Sequence, residues 1–185
     1  MGIHVHEHCL RMARREDGTP WWAAFPEPNS TPAHIDPQAV LELLEGEVQE
    51  EEGEEKEEKE QSSSSSKRLK FLLVDCRRTD CTGGTVSSSI NLPAHSFYPT
   101  RKSLYALCKQ AGIQRIIFYC GSSAGRGPRC AAWMQDYIDE VGERDLQSQV
   151  MTGGIRGWVR TYGDRMMDGY DEKTWKQLLS EESCT

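Results

Sequence analysis

The sequence predicts an α/β fold of three layers, with a mostly parallel sheet of about five strands flanked by helices. Three observations predict it. Lys70-Phe-Leu-Leu-Val-Asp-Cys76 and Arg115-Ile-Ile-Phe-Tyr119 are short, nearly continuous apolar runs, as strands buried on both faces require. Helical apolar periodicity alternates with them, and strand–helix alternation covers a parallel sheet on both sides. The chain has 185 residues, enough for one domain of ordinary size.

Residues 1–20 read as a flexible tail. His4, His6 and His8 alternate there beside Cys9, but no second ligand group stands at a zinc-site spacing, so no metal is assigned. Trp21-Trp22-Ala-Ala-Phe25-Pro26 is apolar and bounded by proline, and is expected to pack on the domain. Asp36-Pro37 opens a helix, with Asp as N-cap, Pro in the first turn, and Val40, Leu41, Leu43 and Leu44 as its apolar stripe. Residues 45–68 form an acidic, serine-rich insertion that buries no apolar surface and is expected to be disordered. Order returns with the strand at 70–76. Ile90-Asn91-Leu92 reads as a short strand stopped by Pro93. Residues 102–111 read as a helix ended by Gly112, and 115–119 as the next buried strand. After a short loop, Pro128 suits the first turn of a helix carrying Cys130, Trp133, Met134, Tyr137, Ile138 and Val141 on its inner side. Val150-Met151 leads into Gly153-Gly154-Ile155-Arg156-Gly157-Trp158. Asp171 to Leu179 reads as a final amphipathic helix with Trp175 inward. The expected domain spans 21–185, with its core at about 34–162.

The net charge of −7 misleads about the folded part. Residues 45–60 hold ten Glu and two Lys, which leaves about +1 for the rest. Arg77, Arg78, Arg126 and Arg129 then supply a positive field for an anionic substrate. No apolar run approaches the length of a membrane span, and neither membrane nor nucleic acid is expected as a partner. Seven scattered cysteines without a secretory leader pattern point to reduced thiols and a cytoplasmic or nuclear location.

Cys120-Gly-Ser-Ser-Ala-Gly-Arg126 carries the chemistry. It lies between a buried strand and a helix start, where sites collect in parallel sheets. Backbone N–H groups of a tight loop, the helix N-terminus and an arginine fork together cradle a phosphate-like anion. The same field favours the thiolate of a cysteine. Cys120 is the candidate nucleophile and Arg126 the oxyanion clamp. Gly121, Ser122, Ser123, Ala124, Gly125 and Arg126 offer their N–H groups, and either serine hydroxyl can reach the thiolate. Spacing alone is weak, because Cys9 and Arg15 repeat it without strand, small residues or helix. Asp80 lies near the same sheet end but reads as a surface carboxylate, so no general acid is assigned.

Several segments resemble the rhodanese fold together. Leu73-Val74-Asp75-Cys76-Arg77, Asp80-x-x-Gly83-Gly84-x-Val86 and Ile90-Asn91-Leu92-Pro93 resemble its opening, and Gly153-Gly154-Ile155-x-Gly157-Trp158 its closing element. Within that fold the seven-residue loop resembles the M-phase inducer phosphatases and the fungal and plant arsenate reductases, whose loops are sized for a tetrahedral oxyanion. Sulfurtransferases typically have a loop one residue shorter. Arg126-Gly127-Pro128-Arg129 is similar to the fungal arsenate reductases and their small phosphatase relatives. Asp75-Cys76-Arg77 resembles the M-phase inducers, which implies that Cys76 can form a protective disulfide with Cys120. Tyr119 stands where the family usually has His before the nucleophile, and Thr85 where His is common after Gly-Gly. The resemblance implies a tyrosine or dual-specificity phosphatase without cofactor, acting on a phosphorylated protein or a small phosphate. It leaves open arsenate reduction with glutathione or glutaredoxin, thiosulfate sulfur transfer, or a non-catalytic binding module.

Overall fold

The computed structural model describes residues 19–54 and 70–182. The tail histidines, Cys9 and Arg15 lie outside them, as does most of the acidic insertion. Five parallel strands form one sheet: β1 (Ala33–Ile35), β2 (Phe71–Asp75), β4 (Ser89–Asn91), β5 (Arg115–Tyr119) and β6 (Gln147–Met151), in the spatial order β1-β6-β5-β2-β4. Side chains alternate across a strand, and both central strands are apolar on both sides. Val74, Ile116, Phe118 and Val150 face one core, and Phe71, Leu73, Ile117 and Tyr119 face the other. Helices α2 (Ala94–Ala111) and α3 (Arg126–Glu140) cover the first face. Helices α1 (Pro37–Glu54), α4 (Gly154–Tyr162) and α5 (Glu172–Glu182) cover the second. This is the layered α/β architecture that the alternating pattern predicts.

The structure departs from the reading at four places. Helix α1 continues to Glu54, into the residues expected to start a disordered loop at 45. Glutamate is a good helix former, and extending an existing helix costs far less than starting one. Helix α2 begins at Ala94, eight residues before the expected start, with Pro99 inside it. Pro99 removes one backbone donor but does not end the helix, because buried Ala94 and Phe97 anchor the first turns. Strand β1 is three residues long, below what periodicity can register. A small antiparallel ribbon, β3 (Thr85–Val86) with β7 (Met167–Asp168), closes the edge near α5.

The segment before the sheet is fastened onto α3. A 3-10 turn at Trp21–Ala24 buries Trp21, which meets Trp133 edge-on at 5.9 Å. Trp133 donates its indole N–H to the Pro26 carbonyl at 2.7 Å, and Asp136 accepts the backbone N–H groups of Asn29 and Ser30. Among the described residues no helix is long and apolar enough to cross a membrane.

Candidate active site

The parallel register pairs Asp75 with Tyr119, so Cys76 and Cys120 leave the carboxyl ends of β2 and β5 side by side. The Cys76 N–H donates to the Tyr119 carbonyl at 2.8 Å, which continues the ladder one step further. From Cys120 the chain turns through Gly121–Gly125 and enters α3 at Arg126. The first N–H groups of any helix lack partners within it, and here they stand directly beside the loop. Ser123 takes a left-handed φ of 53° and is buried, and its hydroxyl accepts the Cys120 backbone N–H at 3.4 Å. Ser122, Ala124 and Gly125 are exposed.

Helix α4 holds the loop from behind. Ile155 and Arg156 donate their N–H groups to the carbonyls of Cys120 and Gly121, both at 3.0 Å. These are the orphan donors of the α4 N-terminus, and the bonds pin the loop carbonyls against that helix. The approach is close enough to require glycine. A Cβ at Gly154, where φ is +58°, would stand 2.4 Å from the Cys120 carbonyl oxygen. The late Gly-Gly pair is thus a support of the Cys120 loop.

Cys120 itself is only 3% exposed and lines a cavity of about 800 Å³. Arg126 lines that cavity, but its fork is occupied. It donates to both carboxylate oxygens of Asp80, at 2.8 and 2.5 Å. Asp80 is therefore part of the site and not the isolated surface carboxylate of the sequence reading. Burial works against its charge, but the Arg126 pair outweighs this and holds the carboxyl at about 2. Burial likewise opposes the Arg126 charge, and the bonds from Asp80 overcome it, so the guanidinium is held even more firmly protonated than usual.

The expected cluster of four arginines does not all face the cavity. Arg77 is buried, 2% exposed, and binds both oxygens of the fully buried Asp75 as well as the Gly84 carbonyl. Its charge is spent on holding the 77–84 loop, which presents Asp80. Arg78 is exposed on that loop. Arg129 lines the cavity and pairs with Glu27 at 2.5 Å. Arg156, which the sequence reading left within the Gly-Gly motif, lines it too, its side chain against Gly121. The signal for it was the position: two residues after Gly154, at the start of a helix that docks on the loop.

The two departures from the resembled pattern touch each other. The Tyr119 and Thr85 hydroxyls lie 2.6 Å apart, and Tyr119 also donates to Ser89 and accepts the Val86 N–H. The Tyr119 ring belongs to the core on the face opposite Cys120. Burial, then the nearby Asp75 charge, push its hydroxyl pKa up, so it stays neutral.

Cys76 and Cys130 are fully buried, and with Cys120 they belong to one cluster. All three are free thiols. Burial, then a hydrogen bond with the Cys130 thiol, raise Cys76 well above the ordinary cysteine range.

No family model matches the chain. The arsenical-resistance protein 2 of Saccharomyces cerevisiae is 28% identical over 100 residues, covering 50% of this chain and 76% of the yeast protein. A yeast protein tyrosine phosphatase of the rhodanese family superposes with a TM-score of 0.58 at 20% identity, covering 79% of this chain and 98% of its own. The As–Sb reductase from Leishmania major superposes with a TM-score of 0.55 at 19% identity, covering 83% and 99%. With its sheet order and these structural likenesses, the chain has a rhodanese-like α/β fold, similar in structure to a yeast tyrosine phosphatase and to the Leishmania As–Sb reductase and in sequence to the yeast arsenical-resistance protein.

Proposed function

We propose that the protein is a cysteine-dependent phosphatase of the tyrosine or dual-specificity type. The observation that carries this reading is the loop from Cys120 to Arg126, set at a strand end and clamped by the N-terminus of α4. In the reaction the Cys120 thiolate attacks phosphorus in line, forming an S–P bond as the ester P–O bond breaks and the alcohol oxygen departs with its electron pair, taking a proton from the phosphate monoanion or from water. Water then cleaves the cysteinyl-phosphate and releases inorganic phosphate and the thiolate. Arg126 leaves Asp80 to take two equatorial oxygens of the phosphoryl group, while the N–H groups of Gly121 to Arg126 receive the charge that moves onto them. Asp80, ionised beside Arg126, is no proton donor in this pairing.

A second reading, arsenate reduction, is favoured by the sequence likeness to the yeast arsenical-resistance protein. Arsenate has the shape and charge of phosphate, and glutathione or glutaredoxin would supply the two thiol electrons. The test is a parallel assay of p-nitrophenyl phosphate, arsenate with glutathione, and thiosulfate with cyanide, on wild type and Cys120→Ser. We expect aryl phosphate turnover that the variant loses by at least about a thousandfold. Turnover of arsenate alone would establish the second reading, and undiminished phosphate hydrolysis by Cys120→Ser would end the first.

A further inference from the structure

We propose that Trp175, on the final helix α5, is a positioning residue for the anion site: it holds the 77–84 loop so that Asp80 stays on Arg126, and so limits how readily an oxyanion takes the guanidinium. The proposal rests on the reading of Arg126 as the oxyanion clamp and adds what restrains that clamp.

Asp80 stands in the turns between β2 and β3, with no helix or strand beneath it. The side chains of Asp80 and Arg126 are 33% and 22% exposed. A pair of that exposure gains little when both partners must be ordered to make it. It gains more when the loop is held beforehand. Part of the hold comes from within the loop. Arg77 bonds the Gly84 carbonyl at 2.6 Å, and the Arg78 backbone N–H bonds the Asp80 carboxylate at 2.9 Å.

The rest comes from the far end of the chain. Trp175 is 2% exposed and donates its indole N–H to the Gly83 carbonyl at 2.6 Å. The Asp171 backbone N–H reaches the same carbonyl at 3.4 Å. A buried indole N–H left without an acceptor is costly, so this bond is kept. The fit is close on both glycines. A Cβ at Gly83, where φ is +87°, would stand 2.9 Å from the Trp175 indole nitrogen, and one at Gly84 would stand 2.6 Å from the Asp168 carbonyl oxygen. The β3–β7 ribbon continues the same attachment.

Segment 167–182 supplies no strand of the five-stranded sheet and no residue of the Cys120 loop. Its contact with the loop of Asp80 is therefore an addition to the site and not part of its frame. Helix α5 also borders the site itself. Leu178 stands one turn beyond Trp175 and lines the cavity with Asp80 and Arg126, as does Trp22 of the leading segment.

The experiment titrates inorganic phosphate by calorimetry onto wild type, Trp175→Phe, Asp80→Asn and the double variant. Phe keeps a ring in the pocket but has no N–H. We expect Trp175→Phe to melt lower and yet to bind phosphate about two- to threefold tighter, within the range of a partly exposed ion pair. In the Asp80→Asn background the same substitution should still lower Tm and leave phosphate affinity unchanged. A residue that only supports the fold would lower Tm in both backgrounds and tighten phosphate in neither. Gly83→Ala crowds the same bond from the loop side and should tighten phosphate alike, so it decides the matter if Trp175→Phe does not fold. Unchanged or weaker phosphate binding, or a tightening that persists beside Asp80→Asn, would overturn the proposal. Binding is read without turnover, which separates the two readings. Protein that shows this cycle but hydrolyses no aryl phosphate fails as a phosphatase and keeps Trp175 in its role. Protein that hydrolyses aryl phosphate but binds phosphate equally in all four forms is a phosphatase in which Trp175 has no such role.

Discussion

Asp80 grips Arg126 with both carboxylate oxygens, so the guanidinium fork that an oxyanion needs already holds an anion. In the proposed reaction, substrate and Asp80 compete for the same donors. Asp80→Asn removes the charge but keeps the shape, and it should tighten inhibition by inorganic phosphate by up to about fivefold, the range of a partly exposed ion pair. The pH dependence has a definite sign. The Asp80 carboxyl lies at about 2 in the fold, against about 4 in an unfolded chain. A depressed carboxyl contributes its stability fully above pH 4 and loses it as the pH falls from 4 towards 2. Thermal melts at pH 6 and pH 2.5 should therefore differ less in Asp80→Asn than in wild type. An unchanged phosphate affinity together with an unchanged acid sensitivity would show that the pair is incidental.

The buried Asp75–Arg77 pair shows why part of this site was hidden in the sequence. An Arg directly after a strand reads as a cleft cation, and nothing in its spacing says that it folds back onto a carboxylate two residues earlier. Strands β2 and β5 and the Cys120 loop were legible because apolar runs and small residues each have a local physical cause, whereas Gly153-Gly154 reads only as a family likeness and its support of the loop was not legible. Asp80, Arg156 and Trp22 were not, because their places depend on three separate segments meeting around one cavity. Pro99 hid the start of α2 for the opposite reason: a local helix breaker was overridden by burial of Ala94 and Phe97.

The Asp75–Arg77 pair also makes a stability prediction. Arg77→Met leaves the Asp75 carboxylate buried without its partner and frees the 77–84 loop. Removing one member of a buried pair costs about 3–5 kcal/mol. The expected reading is a fall in Tm of at least about 6 °C for a chain of this size. A Tm within a degree of wild type would mean that the pair carries no net stability.

Tyr119 tests whether its place before the nucleophile matters to the chemistry. Its ring faces away from Cys120, and its hydroxyl serves Thr85, Ser89 and Val86. Tyr119→Phe strands those buried partners at a cost of about 1–3 kcal/mol, so Tm should fall by several degrees. The kcat/KM for p-nitrophenyl phosphate should stay within about twofold and its pH profile should not move. A shifted profile at unchanged stability would instead make Tyr119 an activator of the thiol.

The three clustered thiols set the order of oxidation. Peroxide converts the Cys120 thiolate to a sulfenic acid, releasing hydroxide. Attack on that sulfur by Cys76 forms the disulfide and expels a second hydroxide. Neighbouring parallel strands stand about 4.8 Å apart, within the Cα separation of about 4.4–6.8 Å that a disulfide accepts. Cys76 is a slow attacker at neutral pH, because burial and the Cys130 thiol hold its proton. Cross-linking should therefore accelerate as the pH rises, and Cys130→Ala should speed it by removing one cause of the raised pKa. Cys76→Ser should accumulate sulfinic acid on Cys120 instead. Mass spectrometry of peroxide-treated protein reads all three outcomes. A dominant Cys76–Cys130 disulfide, with Cys120 over-oxidised beside it, would show that the hydrogen-bonded pair is the redox couple and that Cys120 has no guard.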